Sequence, residues 1–262
     1  MRNGLTVGDP LALQETNNAV VWLRPNNIVA KVAKWTHEWL QREHALAVAI
    51  APDGAGLIAA PAAGLGPTVD DETGYLVTFW KRLEHDPDAE PRALELVDSL
   101  RGLHHLLASY EGELHDFRAQ SLQRARDALA VDEDMSALTS ADLELLRTCF
   151  DDLLAQLDER SFAEQVIHGD AHMTNVLSTP SGLRWIDLEH VCRGPVEWDL
   201  AFLPEEAASA YPESDSELIE LLRGLCSAQV ATWCWRRADD VPELRPHAVY
   251  HLQRLRELRA TS

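Results

Sequence analysis

Lysine is scarce in this chain. Its 262 residues carry 23 basic side chains against 43 acidic ones, a formal net charge of −20, and only Lys31, Lys34 and Lys81 are lysine. Acidity on this scale leaves no basic face for nucleic acid or anionic lipid, so neither is an expected partner. Cysteine is sparse as well. Cys149, Cys192, Cys226 and Cys234 show no Cys-x-x-Cys spacing, which argues against a zinc ribbon or a disulfide scaffold and predicts reduced, buried thiols. No apolar run approaches the ~18 residues of a membrane span. The opening MRNGLTVGDPLALQ lacks the apolar core of a signal peptide, so a cytoplasmic location is expected. What remains, 46% hydrophobic and 25% charged residues, is ordinary globular material with room for one large domain or two lobes.

Chemistry concentrates in Val166 to Leu203, VIHGDAHMTNVLSTPSGLRWIDLEHVCRGPVEWDLAFL. Val166-Ile167 and Arg184-Trp185-Ile186 read as short strand ends, delivering His168 to Asp170 and Asp187 respectively. Asn175 follows Asp170 by five residues. Thr179-Pro180-Ser181-Gly182 predicts a tight turn that folds Asp187 back beside Asn175. Oxygen donors gathered in this way suit a hard cation such as magnesium. An aspartate, an asparagine five residues on and a second aspartate after a turn is the order that phosphoryl transfer uses. His168, His172 and His190 leave a zinc hydrolase as the alternative, opposed by the missing closed zinc spacings, or they are simply packed histidines.

With Gly-Pro-Val-Glu-Trp-Asp-Leu-Ala at 194–201, this segment resembles the aminoglycoside phosphotransferase and choline kinase family, small-molecule kinases of the protein-kinase-like fold. The resemblance implies an α+β, two-lobed architecture: a β-rich nucleotide-binding lobe over residues 1–82 and a larger, mainly helical catalytic and substrate-binding lobe over 83–262. ATP and Mg2+ are the implied cofactors, and a small-molecule alcohol the implied acceptor. Asp170 would orient the acceptor hydroxyl and take its proton, and Asn175 and Asp187 would hold the metal. His168 and Asp199 would act as struts, and Glu189 would touch the metal or its surroundings. A nucleotide-binding pseudokinase with a regulatory or scaffolding role is the alternative from another functional class.

Residues 17–33 predict a hairpin around Arg24-Pro25-Asn26-Asn27. In the family pattern Lys31, expected near the end of the second strand, reaches the phosphates, with Lys34 in reserve. A helix capped by Thr36 and running to about Ile50 carries Leu40 and Ala47 on its inner face; in the family pattern Glu43 pairs with Lys31, a solvated glutamate beside Arg42 being the plain alternative. No glycine lies between Gly8 and the hairpin; the family resemblance implies that Thr16, Asn17 and Asn18 replace the glycine loop as phosphate donors. After an irregular stretch from Ala51 to Gly74 and a strand at 75–80, the backbone of Phe79, Trp80, Lys81 and Arg82 is expected to meet adenine. Further helices are predicted over Pro91 to Ser109 with Leu94 on the apolar face, from Thr139 or Ser140 onward, and over 216–237 and 243–259. Between them lies an acidic loop, PEEAASAYPESDSE. Its Glu205, Glu206, Glu213, Asp215 and Glu217, with Trp233, suggest a cationic acceptor such as an amino sugar. A solvated loop and a buried Trp233 are the plain alternatives.

Overall fold

The computed structural model describes residues 4–15, 18–34, 38–54, 56–131 and 135–261. They divide into two compact units, Met1–Glu113 with His172–Val191 and Leu114–Ala171 with Cys192–Ser262.

The first unit is built on an antiparallel sheet of β1 (Leu11–Glu15), β2 (Ala19–Trp22), β3 (Ile28–Lys34), β4 (Thr68–Asp70) and β5 (Tyr75–Lys81), in the order β1-β2-β3-β5-β4. The expected hairpin is β2–β3. Strand β1 escapes a search for alternating burial because Leu11 and Leu13 are both exposed, and pairing with β2 alone holds it in the sheet. Strand β4 is three residues long, inside the stretch expected to be irregular. Lys31 sits in the middle of β3 and not near its end, opposite Val20 on one side and Thr78 on the other. Successive strand residues face opposite ways, so Lys31 is buried and Lys34, three positions on, is exposed.

Helix α1 (Glu38–Gly54) runs four residues beyond the expected end and through Pro52. Thr36, its expected cap, lies outside the described residues. Leu40, Glu43, His44, Ala47 and Ile50 fall on its buried stripe, the i, i+3, i+4, i+7 spacing of an amphipathic helix. Glu43 is therefore turned inward by its place in the register. Helix α2 (Ala93–Leu107) starts after Arg92 and buries Leu96, Val97, Leu100 and Leu103. Leu94, expected on that face, points to solvent.

The second unit begins with a π-helical turn, Arg118–Gln123, which runs into α3 (Arg124–Leu129). Helix α4 (Ser140–Asp158) is capped by Thr139, whose Oγ1 accepts from Asp142 N at 3.2 Å. Strand β6 (Gln165–Ile167) follows. The chain then returns to the first unit for the hairpin β7 (Val176–Thr179) and β8 (Gly182–Trp185), where Thr179 pairs with Gly182 across the expected two-residue turn. Strand β9 (Cys192–Gly194) re-enters the second unit and pairs with β6. Helices α5 (Val196–Ala201), α6 (Glu205–Ser209), α7 (Ser216–Arg236) and α8 (Arg245–Thr261) complete it. Its core gathers Phe117, Phe150, Trp198, Leu222 and Leu225. Helix α6 lies where a loop was expected: Glu205 and Glu206 suit a helix N-terminus, and Ala207 and Ala208 are buried beneath them. Among the described residues no helix is long and apolar enough to cross a membrane.

Candidate active site

In the first unit the hairpin β7–β8 is stitched to the five-stranded sheet through residues 57–62. Trp185 N donates to Leu57 O at 2.8 Å and Ala59 N to Trp185 O at 3.0 Å. Farther along the same segment, Ala62 N donates to Phe79 O and Ala60 O accepts from Lys81 N, each at 2.9 Å. This rung fixes the residues just after the hairpin relative to β3. Ile186 N donates to Asn175 O at 3.0 Å, which sets Asn175 and Asp187 at the same end of the hairpin. Asn175 is buried, with its amide 3.2 Å from His172 Nε2. Asp187 has φ of 63°, in the left-handed region that aspartate tolerates better than most residues.

Asp187, Glu43 and Glu189 converge on Lys31. The ammonium donates to Glu43 Oε2 at 3.0 Å, to Glu189 Oε2 at 2.9 Å and to Asp187 Oδ1. Glu43 also accepts from Leu188 N at 3.0 Å, so one buried carboxylate holds both the lysine and the turn that carries Asp187. Asn18 Nδ2 donates to Glu189 Oε2 at 3.1 Å. One ammonium facing three carboxylates leaves two negative charges unmatched. Burial on its own would lower the Lys31 pKa, but Glu43, Asp187 and Glu189 outweigh it and hold the ammonium charged well above the ordinary range. Burial pushes Glu43 up to about 7, opposed by Lys31 and reinforced by Asp187 and Glu189. Lys31 therefore stays charged, and burial favours protonation of Glu43.

A carboxylate oxygen from each of Glu43, Asp187 and Glu189 lies within 4.8 Å of the others. These three carboxylates form an all-oxygen donor set that fits magnesium. Among the described residues no such group contains histidine or cysteine, so the zinc alternative finds no cluster to occupy. The backbone expected to meet adenine is partly committed, since Lys81 N donates to Ala60 O and Arg82 N to Asn27 O at 3.1 Å. Phe79 and Trp80 are buried, and the Trp80 indole donates to Thr78 Oγ1 at 3.0 Å. Thr16 and Asn17 lie outside the described residues.

In the second unit β6 ends in a turn held by two neighbours from α5. The fully buried Asp199 accepts from His168 N and Gly169 N, each at 2.8 Å, and Trp198 Nε1 donates to Gly169 O at 3.0 Å. Gly169 has φ of 80°, a conformation that costs glycine nothing and most residues a steric penalty. The turn presents Asp170, whose N–H is 3.3 Å from His168 Nδ1 and whose side chain is half-buried. Burial, then the Asp170 charge, push the Cys226 thiol of α7 well up, which puts that thiol within electrostatic reach of Asp170. Cys226 is a neighbour that the sequence did not announce, because a lone cysteine in an apolar helix carries no signal.

The residues expected at the acceptor have varied surroundings. Asp215 caps α7, accepting from Glu217 N and Leu218 N, and Glu217 pairs with Arg160 at 3.1 Å. Glu205 and Glu206 are exposed. Trp233 is half-buried, with the guanidinium groups of Arg124 and Arg236 at 5.9 and 5.8 Å from its ring centre. All four cysteines are free and buried.

An antiparallel five-stranded sheet with a lysine strand and a glutamate helix, followed by a mainly helical second half, defines the α+β class of protein-kinase-like folds. The model of the phosphotransferase enzyme family matches residues 16–241, and the chain belongs to that family. It is a phosphotransferase, and the family resemblance read in its motifs holds. Its fold is shared with amicoumacin kinase hAmiN, solved in complex with AMP-PNP, Ca2+ and Ami: TM-score 0.72 at 11% identity, covering 95% of this chain and 88% of that one. The choline kinase LicA from Streptococcus pneumoniae gives 0.69 at 18% identity, over 98% and 95% of the two chains. Wild-type aminoglycoside 2'-phosphotransferase-IIIa, solved with GDP, gives 0.66 at 13% identity, over 98% and 94%. Among curated proteins none matches at a significant level.

Proposed function

We propose that the protein is an ATP-dependent small-molecule kinase that transfers the γ-phosphate to a hydroxyl of an aminoglycoside, an amino sugar or a related metabolite. One observation carries the reading: a strand lysine, a helix glutamate and the aspartate after a hairpin, Lys31, Glu43 and Asp187, meet at a single ammonium. Lys31 binds the nucleotide phosphates, and Glu43 keeps it there. Asn175 and Asp187, with Glu189 beside them, hold Mg2+, which when bound neutralises phosphate charge. Adenine lies along the end of β5, near Phe79 to Arg82. Asp170 accepts a hydrogen bond from the acceptor hydroxyl and takes its proton as the new O–P bond forms and the bond to the leaving ADP breaks. His168 and Asp199 hold the turn that presents it.

Support for nucleotide use comes from similar structures solved with AMP-PNP and GDP. Support for an amine-bearing acceptor comes from the exposed Glu205 and Glu206 at the start of α6, where clustered carboxylates attract cations. The Trp233 ring already lies close to two arginines, so contact with a cation falls to the glutamates. A functional division into lobes 1–82 and 83–262 belongs to the same reading, as does a cytoplasmic location, supported by four free thiols.

Thermal shift with AMP-PNP and Mg2+, followed by a screen of hydroxyl-bearing amines for ATP-dependent phosphorylation, tests the proposal. Turnover of an amine whose KM rises with ionic strength is the expected result. Failure to bind nucleotide refutes the kinase reading, and nucleotide binding without turnover of any acceptor favours a pseudokinase.

A further inference from the structure

Lys31 Nζ is a shared donor to three carboxylates whose oxygens cluster within 4.8 Å. A divalent cation drawn to these oxygens meets the ammonium already among them, and two cations at such range repel. Glu189 keeps a second donor if the lysine leaves. Its Oε2 accepts from both Lys31 and Asn18, and its Oε1 lies 3.6 Å from His190 Nε2. Glu43, by contrast, is anchored to the backbone at Leu188.

We propose that Lys31 is the resident counter-ion of this carboxylate group, and that divalent metal gains Asp187 and Glu189 only when nucleotide phosphates draw the ammonium away from those two, with Glu43 still its partner. Asn18 serves as a positioning residue: its amide holds Glu189 ready to pass from lysine to metal. The inference rests on the kinase reading and adds to it a binding order. Free metal is rejected, free nucleotide competes with Glu189 for Lys31, and the two together bind with strong positive coupling. That coupling is reciprocal: whatever factor nucleotide adds to metal affinity, metal adds to nucleotide affinity.

The test is calorimetry with Mn2+ and AMP-PNP on the full chain, with circular dichroism to establish folding. Lys31→Met removes the counter-ion, and we expect it to bind Mn2+ without nucleotide about tenfold tighter or more than the wild type. Glu189→Gln frees Lys31 from one carboxylate, so its affinity for AMP-PNP in EDTA rises several-fold while Mn2+ binds its nucleotide complex more weakly. A purely structural Glu189 would not improve metal-free nucleotide binding. A folded Lys31→Met variant with unchanged or weaker Mn2+ affinity overturns the proposal. Should that variant not fold, unchanged or weaker metal-free AMP-PNP affinity in Glu189→Gln overturns it instead. Wild-type protein that binds no AMP-PNP even with Mn2+ removes the kinase reading and this inference with it, an outcome distinct from failure of either variant.

Discussion

Asp199→Asn is the sharpest test of how the turn that presents Asp170 is held. The carboxylate is fully buried and uses both oxygens, one for His168 N and one for Gly169 N, each at 2.8 Å. Asparagine has one acceptor oxygen, so its amide nitrogen must face one of the two backbone donors. A hydrogen bond to a charged group contributes about 1.5–3 kcal/mol net, and a stranded buried N–H costs about 1–3 kcal/mol. Removing a buried charge gives some of this back, so the net destabilisation is about 2–4 kcal/mol. For a chain of this size each kcal/mol lowers Tm by about 2–4 °C, and the expected drop is roughly 4–16 °C. Urea denaturation and thermal melts read the loss directly. Because the same turn presents Asp170, kcat falls in the variant while nucleotide affinity stays near that of the wild type. Trp198→Phe loses the bond to Gly169 O, about 1 kcal/mol, and also leaves a cavity where the fully buried indole packed. An Asp199→Asn protein within about 0.5 kcal/mol of wild type would refute the idea that these two bonds hold the turn.

Asp170→Asn is expected to leave the fold and AMP-PNP binding intact and to lower kcat about 10²-fold or more, the scale of a lost general base. Near-normal turnover would remove Asp170 from the mechanism. Lys31→Ala should raise the ATP KM sharply and Lys34→Ala should not, since Lys34 is exposed on the opposite face of β3; steady-state kinetics of both variants decides. His251 of α8 has its pKa pushed down to about 4 by burial, with Arg254 and His247 adding repulsion. Its imidazole therefore stays neutral in the folded protein after it would charge in the unfolded chain. Stability attributable to it is intact above about pH 6.5 and is lost as pH falls toward about 4. His251→Gln should flatten the urea midpoint over that window, and an unchanged pH profile would contradict the assignment.

Much of the site was legible because its cues are local. The spacing from Asp170 to Asn175, the Pro180-Ser181 turn and the placing of Asp187 after β8 depend on a few consecutive residues and their turn chemistry. Glu43 was legible through the family pattern and the order of strand and helix, and its place on the buried stripe with Leu40 and Ala47 is what turns it inward. The scarcity of lysine left three candidates and the family pattern chose Lys31 among them, although only the pairing of β3 with both neighbours put it mid-strand. Edge strand β1 and the short β4 were hidden, since edge and three-residue strands carry little alternation of burial. Tertiary structure alone decided that Lys31 bonds Glu189, 158 positions away, and that Glu43 reaches the backbone of Leu188 across 145. It alone placed residues 57–62 as the rung between sheet and hairpin, and turned Asn18 toward a carboxylate. Periodicity and turn propensity act over a handful of residues. Contacts between distant segments depend on how whole elements pack, and no local pattern in the chain encodes them.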